Sequence, residues 1–264
     1  MYKEGKGLYM AIKKGKSLCI FSAKGGVGKT TNLINIAGIF EQLEKKVLLV
    51  DIDLYSGGIA TYLNKPYEKS IYNLCDDILN NRVEDFKNYI TPYDKYIDIL
   101  PAPKDPRTSN KIDPRTFESL VDMSTSEYDV VLFDTNHALD DINLTILSLV
   151  DEILFITTID PMDLSNLKSL LSIFNRLEYT NYKVMLNYSK DPNRDYLTTY
   201  DVKHILKHEI NYVLTSNLYL KEMDRHVMNG SIITLDKKFA SIMPEDYQTF
   251  LHITTDLLGG NNHE

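Results

Sequence analysis

A glycine-rich stretch near the amino terminus has the residue types of a phosphate-binding loop. It reads Ser22-Ala-Lys-Gly-Gly-Val-Gly-Lys-Thr-Thr31 and lies between an apolar, strand-like run, Leu18–Phe21, and a helix expected to begin near Lys29. Glycines let the chain turn so that successive backbone N–H groups point at one anion, and the amino terminus of the following helix adds partial positive charge. The stretch therefore predicts a phosphate site.

The side chains of this loop have separate predicted roles. Lys29 would reach the β- and γ-phosphates, the Thr30 hydroxyl would coordinate Mg²⁺, and Thr31 would contact the α-phosphate. The loop departs from the ordinary P-loop because alanine stands at position 23 and an additional lysine, Lys24, precedes the glycine pair. The predicted ATP contacts within this loop are Gly25, Gly26, Val27, Gly28, Lys29, Thr30 and Thr31.

Aspartates stand at the ends of two later strand-like runs. Val47–Val50 is followed by Asp51 and Asp53, and Val130–Phe133 is followed by Asp134. In open α/β sheets, ligands bind at the edge formed by the carboxyl ends of the strands. The second run, an apolar strand that ends in aspartate, has the Walker B pattern. Because Mg²⁺ prefers carboxylate oxygens, Asp134 is the predicted magnesium ligand.

The two lysines, the glycine pair and the strand-end aspartates together resemble the ParA/MinD family of ATPases, whose deviant Walker A motif reads KGGxxK[ST]. The resemblance implies that Lys24 crosses a dimer interface to the phosphates of the ATP held by the other subunit. It also implies that Asp53 orients the attacking water and that Asp51 supports the magnesium site. ATP and Mg²⁺ are the expected cofactors of a slow, partner-regulated ATPase that works as a homodimer across ATP.

One position agrees with the family pattern, and one segment departs from it. Asn187 follows the run Val184–Leu186, where the family commonly uses an asparagine to recognise adenine. Family members often continue the Walker B strand with Thr-Pro-Pro-Gly, whereas here Thr135 is followed by Asn136–Ala138. The loop that follows the Walker B strand is thus altered in this chain. For His137 a loop or partner contact is the favoured interpretation, with general-base catalysis as the alternative.

Strand-like runs alternate with amphipathic segments of helical length, which is typical of a parallel sheet covered by helices. The predicted strands are Leu18–Phe21, Val47–Val50, Ile97–Leu100, Val130–Phe133, Ile153–Thr157, Val184–Leu186 and Tyr212–Leu214. The predicted helices are 29–44, 70–80, 114–124, 141–149, 163–178, 201–208 and 244–258. We therefore predict an α/β fold with a doubly wound, mostly parallel sheet and helices on both faces, the P-loop NTPase fold. The expected domain is 17–258, with a flexible leader at 1–16 and a tail at 259–264.

Charge and composition disfavour several classes of partner. The chain has 37 acidic and 29 basic residues, and its net charge of −8 is unfavourable for coating nucleic acid unless basic residues gather on one face. Two cysteines without CxxC spacing fit a reducing cytoplasm. No apolar run approaches the ~18 residues that cross a bilayer. The candidate DNA-binding residues are Lys203, Lys207, Lys221, Arg225, Lys237 and Lys238.

Two segments resemble the TadZ/CpaE branch of the family, which positions the machinery that assembles type IV-class pili. They are the section 134–177 and the loop 100–106, which reads LPAPKDP. That branch usually carries an amino-terminal receiver-like domain, which sixteen residues cannot form. The expected function is an ATPase switch that positions pilus or secretion machinery. The expected location is the cytoplasm, with recruitment to a pole or to the inner face of the membrane through partners.

Other functions stay open. They include a ParA-type partition ATPase that binds DNA, a flagellar-number or MinD-like positioning ATPase, and a nucleotide-binding scaffold whose altered loop hydrolyses little. The sequence after Lys238 contains no lysine or arginine, which disfavours the basic membrane helix of MinD-like proteins. The presence of Lys29, Asp53 and Asp134 favours hydrolysis over a scaffold.

Overall fold

The computed structural model describes residues 14–188, 196–216 and 223–259. Within them the strands are β1 Lys16–Phe21, β2 Val47–Ile52, β3 Thr91–Pro92, β4 Ile97–Leu100, β5 Val130–Thr135, β6 Glu152–Thr157, β7 Tyr182–Asn187 and β8 Tyr212–Leu214. They form one sheet in the order β3-β4-β2-β5-β1-β6-β7-β8. Every pairing is parallel except that of the short edge strand β3 with β4. The predicted mostly parallel sheet is confirmed.

Helices cover both faces of this sheet. In the described residues they are α1 Lys29–Gln42, α2 Ile59–Tyr62, α3 Ile71–Leu79, α4 Thr116–Glu127, α5 Asp141–Leu149, α6 Pro161–Arg176, α7 Thr199–Leu206, α8 Met223–Asn229, α9 Phe239–Ile242 and α10 Pro244–Leu257. Short 3-10 helices occur at Phe86–Tyr89, Pro106–Lys111 and Ile233–Leu235. None of the helices in the described ranges is long and apolar enough to cross a membrane.

The core consists of two apolar layers, one on each face of the sheet. Successive side chains of a strand point to opposite faces. In β1, Leu18 and Ile20 pack in the layer beneath α1 and α10. Cys19 and Phe21 pack in the opposite layer, beneath α3 to α7. The central strands are therefore covered on both sides, which explains their continuous apolar runs.

The sheet order determines where the functional side chains meet. Because β5 lies between β2 and β1, the carboxyl ends of these three strands are adjacent. The β2–β5 register pairs Asp51 with Asp134, and β1 leads directly into the glycine-rich loop. The predicted aspartates and the phosphate loop therefore lie at one edge of the sheet, as expected for an open α/β fold.

Several element bounds differ from the sequence prediction. Helix α6 begins at Pro161 rather than at residue 163, because Asp160 caps it and proline is favourable in the first turn. The short elements α2, α8, α9 and β3 were not predicted, since segments of two to seven residues carry little periodicity.

The predicted leader is partly inside the described structure. Residue Gly15 donates its N–H to the carbonyl of Thr125 at 2.7 Å, and Lys16 donates to Asp129 at 2.9 Å, so these residues join the fold. Residues 1–13 of the predicted leader and 260–264 of the predicted tail lie outside the described residues. The division into one domain with a leader and a tail stays a prediction.

Candidate nucleotide-binding site

The glycine-rich loop connects β1 to α1 through two left-handed glycines. Gly26 has φ of 76° and Gly28, which precedes the first residue of α1, has φ of 102°. Side-chain-bearing residues rarely adopt these angles, so glycine is required at both positions. Such turns direct consecutive N–H groups toward one point at a helix amino terminus. The buried side chain of Val27 anchors the loop in the core between them.

Lys29 is a nearly buried lysine at the start of α1. Its residue is 9% exposed, and its Nζ donates to the Ser22 hydroxyl oxygen at 3.0 Å. Ser22 in turn donates to the carbonyl of Lys24 at 2.7 Å, which braces the loop. Burial lowers the pKa of Lys29, while the nearby Asp134 carboxylate opposes that shift. The ammonium is therefore poorly solvated and suited to an anion placed beside it.

Thr30 and Asp134 form a second contact between the loop and the sheet. The Thr30 hydroxyl donates to Asp134 Oδ2 at 2.6 Å. Asp134 is buried, and its Oδ1 has no hydrogen-bond partner. Burial raises the pKa of Asp134 to about 7, although the hydrogen bond from Thr30 and the charge of Lys29 favour the ionised form. An unsatisfied buried carboxylate oxygen beside a threonine hydroxyl fits a metal ion.

Asp51 lies on the strand next to Asp134 and is equally enclosed. Its residue is 1% exposed, its Oδ2 accepts the Ile59 N–H at 3.0 Å, and its Oδ1 has no partner. Burial raises the pKa of Asp51, and the adjacent Asp134 raises it further. The two neighbouring carboxylates thus carry one unpartnered oxygen each. This arrangement favours a cation, which would offset their mutual repulsion.

The side chains at this edge of the sheet fit a magnesium ion, which takes part of its ligands from water and phosphate. They do not fit a metal ion that is held by protein ligands only. Among the described residues, no group of three or more His, Cys, Asp or Glu side chains is arranged to hold a metal ion. Mg²⁺ is usually bound by one or two carboxylates together with water and substrate phosphates. Thr30 and Asp134 supply such a partial set, and the adjacent phosphate loop would bring the remaining oxygens.

Asp53 lies just beyond β2 and is half-buried. Its Oδ1 accepts the Ser56 N–H at 3.3 Å, and its carbonyl accepts the Gly57 N–H at 2.7 Å. Its charge raises the pKa of both Lys29 and Asp134, although burial dominates the shift of each. Asp53 is therefore electrostatically coupled to the site.

Lys24, the additional lysine of the loop, contacts a different element. Its Nζ lies 2.9 Å from Asp160 Oδ2 at the start of α6, and its side chain is 43% exposed. The hydrogen bond from Lys24 lowers the pKa of Asp160. The structure thus brings Lys29, Thr30, Asp51, Asp53 and Asp134 together, while Lys24 is directed toward α6.

The residues after β5 form a short loop, 136–140, that we call the switch loop. The side-chain amide of Asn143, on α5, donates to Asn136 Oδ1 and to the Ala138 carbonyl, both at 2.7 Å. Asn136 Oδ1 also accepts the Ala138 N–H at 2.7 Å. His137 is exposed and lies beside the glycine loop, because a side chain at Gly25 would come within 3.5 Å of its ring. Amides therefore hold this loop where the family pattern has prolines.

The two remaining residues predicted to contact ATP, Asn187 and Thr31, both form hydrogen bonds with other residues of the chain. Asn187, at the end of β7, donates its side-chain amide to the Val27 carbonyl at 2.9 Å. Thr31 is half-buried, and its carbonyl accepts the Asn35 side-chain amide at 2.9 Å. Asn187 thus braces the phosphate loop. Its predicted role in recognising adenine, and that of Thr31 at the α-phosphate, stay predictions.

Sequence reasoning missed several residues that shape the site. Ser22, Asp160 and Asn143 each bond the loop residues described above. Asp160-Pro161 is a helix-start pattern, so it could have indicated a capping aspartate next to the loop. No sequence signal indicates that Asn143 is fully buried beneath the switch loop.

The predicted basic residues are distributed over both faces of the sheet. Lys203 and Lys207 belong to α7 and its end, and the buried Val202 of that helix packs in one core layer. Lys237 and Lys238 adjoin Phe239, which packs in the opposite layer. Lys221 lies outside the described residues. Arg225 is exposed on α8. That these residues form one DNA-binding patch stays a prediction.

Comparison with known proteins agrees with this geometry. The septum site-determining protein MinD of Thermotoga maritima is 25% identical over 206 residues, which are 76% of this chain and 75% of that protein. The chromosome partitioning protein ParA of Myxococcus xanthus is 29% identical over 148 residues, which are 53% of this chain and 51% of that protein. The match therefore spans about half the length of that ParA.

Structural comparison supports the same fold. The solved structure of MinD from Pyrococcus horikoshii, complexed with Mg-ADP, has a TM-score of 0.73 at 18% identity and covers 93% of this chain and 98% of that chain. Residues 15–188 match the AAA domain family AAA_31. This match includes the glycine loop, the strand-end aspartates and the switch loop. The chain belongs to the AAA domain family AAA_31 and, within it, to the P-loop ATPases of the ParA/MinD type.

Proposed function

We propose that this ATPase binds Mg-ATP between two copies of the chain and that slow hydrolysis times its binding to a partner. The observation that carries the proposal is the set of incompletely satisfied buried charges at one sheet edge. The Lys29 ammonium lies beside the left-handed glycine loop, and Asp51 and Asp134 each hold one buried oxygen without a partner. Triphosphate and magnesium would complete both sets of contacts.

In this proposal each side chain has a separate task. The loop N–H groups and Lys29 bind and orient the phosphates. Thr30 and Asp134 would hold Mg²⁺, and Asp51 would support the magnesium site. The ion would neutralise charge on the β- and γ-phosphate oxygens. Asp53 orients the attacking water. Its position at the end of β2 and its charge coupling to Lys29 support this role.

The exposed side chain of Lys24 is the observation that favours a dimer. A cation on the glycine loop that is 43% exposed can be presented to a second subunit without unfolding the loop. The family resemblance assigns this lysine to the ATP of the partner subunit. Dimerisation and hydrolysis would then depend on the same bound nucleotide.

We propose pilus or secretion machinery as the structure that the switch positions. Support comes from the resemblance of residues 134–177 and of the loop 100–106 to the TadZ/CpaE branch. We further propose that the protein acts in the cytoplasm and reaches a pole or the inner membrane face through partners. A pull-down with protein held in the ATP state, compared with the ADP state, tests this: pilus-assembly components retained only with ATP support it, and their absence contradicts it.

Chromosome or plasmid partition is the second candidate function, because the chain is 29% identical to a ParA over part of its length. Such a role needs DNA contact through basic residues, and here they are spread over two faces. We expect DNA binding to be weak and to be lost between about 50 and 200 mM salt, since few phosphates are neutralised. Tight binding at the higher salt concentration would favour partition over pilus positioning.

The catalytic proposal is tested by calorimetry of Mg-ATP binding together with single-turnover phosphate release. We expect binding and slow release that a partner accelerates. Binding without any release, with or without partner, would favour a nucleotide-binding scaffold and would contradict the hydrolytic switch.

A further inference from the structure

The carboxylate of Asp160 divides its two oxygens between two tasks. Oδ1 accepts the N–H groups of Met162 and Asp163, at 3.0 and 3.1 Å, and so caps α6. Oδ2 lies 2.9 Å from Lys24 Nζ. The bond to Lys24 can therefore break while the cap of α6 stays in place.

The surroundings of this ion pair are suited to reversible contact. The side chains of Lys24 and Asp160 are 43% and 30% exposed, so water can solvate both charges after separation. Behind them Asp163 is fully buried, and its Oδ2 accepts the Thr158 N–H at 2.7 Å and the hydroxyls of Thr157 and Thr158. Asp163 is held through that oxygen, while its Oδ1 is buried without a hydrogen-bond partner, and the charge of Lys24 lowers its pKa against the larger effect of burial. Asp160 is the carboxylate in direct contact with Lys24.

We propose that Asp160 is a positioning residue that holds Lys24 on its own subunit and thereby opposes formation of the ATP-bound dimer. The proposal rests on the proposed function, in which Lys24 reaches the ATP of the partner subunit. Lys24 has one ammonium, which must leave Asp160 before it crosses the interface. After hydrolysis, recapture by Asp160 favours separation of the subunits.

The size of the effect follows from the exposure of the pair. Exposed ion pairs change an equilibrium by a small factor, roughly 1.4- to 5-fold each. A symmetric dimer releases two such pairs, so the factors multiply. Removing the contact should therefore lower the dimer dissociation constant by about 2- to 30-fold.

The substitution Asp160→Asn tests this, because asparagine keeps an oxygen that caps a helix well but replaces the oxygen that bonds Lys24. Sedimentation velocity with Mg²⁺ and a non-hydrolysable ATP analogue gives the dimer dissociation constant. A second measurement follows the rate at which dimers formed with Mg-ATP separate after hydrolysis. We expect the variant to dimerise at lower protein concentration and to separate more slowly, with unchanged nucleotide affinity of the monomer.

Two further variants separate positioning from a structural role. Asp160→Glu keeps the charge and should dimerise more nearly like the parent. Asp85→Asn changes another capping aspartate, which accepts the Lys87 N–H at 2.9 Å, and should leave dimerisation unchanged. If the parent dimerises and Asp160→Asn dimerises equally or less well, the inference is overturned while the proposed function stands. If the parent does not dimerise with the analogue, both are overturned.

Discussion

At Lys29 and Asp134, burial shifts the pKa in one direction and the opposite charge of the other residue shifts it back. Both side chains lie at the junction of loop and sheet, and burial shifts each pKa toward the neutral form. Such groups are costly to bury unless a counter-charge satisfies them. The Lys29 and Asp134 side chains can therefore be tested separately, the first by ATP affinity and the second by the pH dependence of stability.

We expect Lys29→Ala to weaken ATP binding strongly, because it removes the ammonium beside the β- and γ-phosphates. A charge-assisted contact of this kind contributes about 1.5–3 kcal/mol, which corresponds to a roughly 10- to 150-fold higher dissociation constant. Isothermal titration calorimetry measures this. Lys46→Ala, at an exposed position, is the control. Parental affinity in the Lys29 variant would remove the basis for the phosphate site.

Stability should depend on pH through Asp134. Its pKa is raised from 3.8 to about 7, so the folded protein holds this proton more tightly than the unfolded chain does. The resulting stabilisation is complete below the unfolded value and is lost as the pH rises through the folded value. We expect this contribution to the melting temperature of the nucleotide-free protein to fall as the pH rises from about 4 to about 7, between the two pKa values, and to change little above about pH 8.

The variant Asp134→Asn should show a smaller fall over the same range, because it removes one titrating group. Some fall should remain, since burial also raises the pKa of Asp51. Thermal melts at several pH values compare it with Asp122→Asn, which changes an exposed carboxylate. An Asp134→Asn slope equal to that of the parent would contradict the assignment of this titration.

At the scale of elements, the switch loop and α5 behave as one unit. Asp140 caps α5 by accepting the Asn143 N–H at 2.9 Å, and Asn143 holds the loop through its side chain. The carboxyl end of β5 is thereby connected to a helix through polar contacts. The sequence predicted α5 with its observed bounds, but not the amide contacts, because these depend on which side chain is buried beneath the loop.

We expect Asn143→Ala to loosen the switch loop. The change removes two part-buried hydrogen bonds, to Asn136 Oδ1 and to the Ala138 carbonyl, and at about 0.5–1.5 kcal/mol for each bond it should cost about 1–3 kcal/mol in total. Hydrolysis should slow more than ATP binding weakens, because the phosphate loop is separate from this contact. Differential scanning calorimetry and phosphate release measure the two effects. Unchanged stability with parental turnover would show that the amides do not hold the loop.

At the scale of the whole molecule, the order of the strands in the sheet brings the site residues together. Glycine spacing and strand-end aspartates predicted the residues that meet, since parallel strands align their carboxyl ends. The contact of Lys24 with Asp160 was not predicted, because it joins residues far apart in sequence through α6. The same reason applies to the basic residues, whose distribution over two faces depends on how α7 and α9 pack.

The central claim is that ATP joins two subunits and that Lys24 and Asp53 act at different steps. Lys24→Ala should leave nucleotide binding by the monomer largely intact while it prevents ATP-dependent dimerisation and hydrolysis together. Asp53→Ala should bind ATP and dimerise but hydrolyse more slowly, by about 10²-fold or more. It should therefore accumulate as a dimer.

Light scattering of the parent and both variants with Mg-ATP, combined with phosphate release on the same samples, measures this most directly. We predict a transient dimer for the parent, monomer for Lys24→Ala and a persistent dimer for Asp53→Ala. A Lys24→Ala protein that still dimerises with ATP, or an Asp53→Ala protein that hydrolyses at the parental rate, would contradict the account.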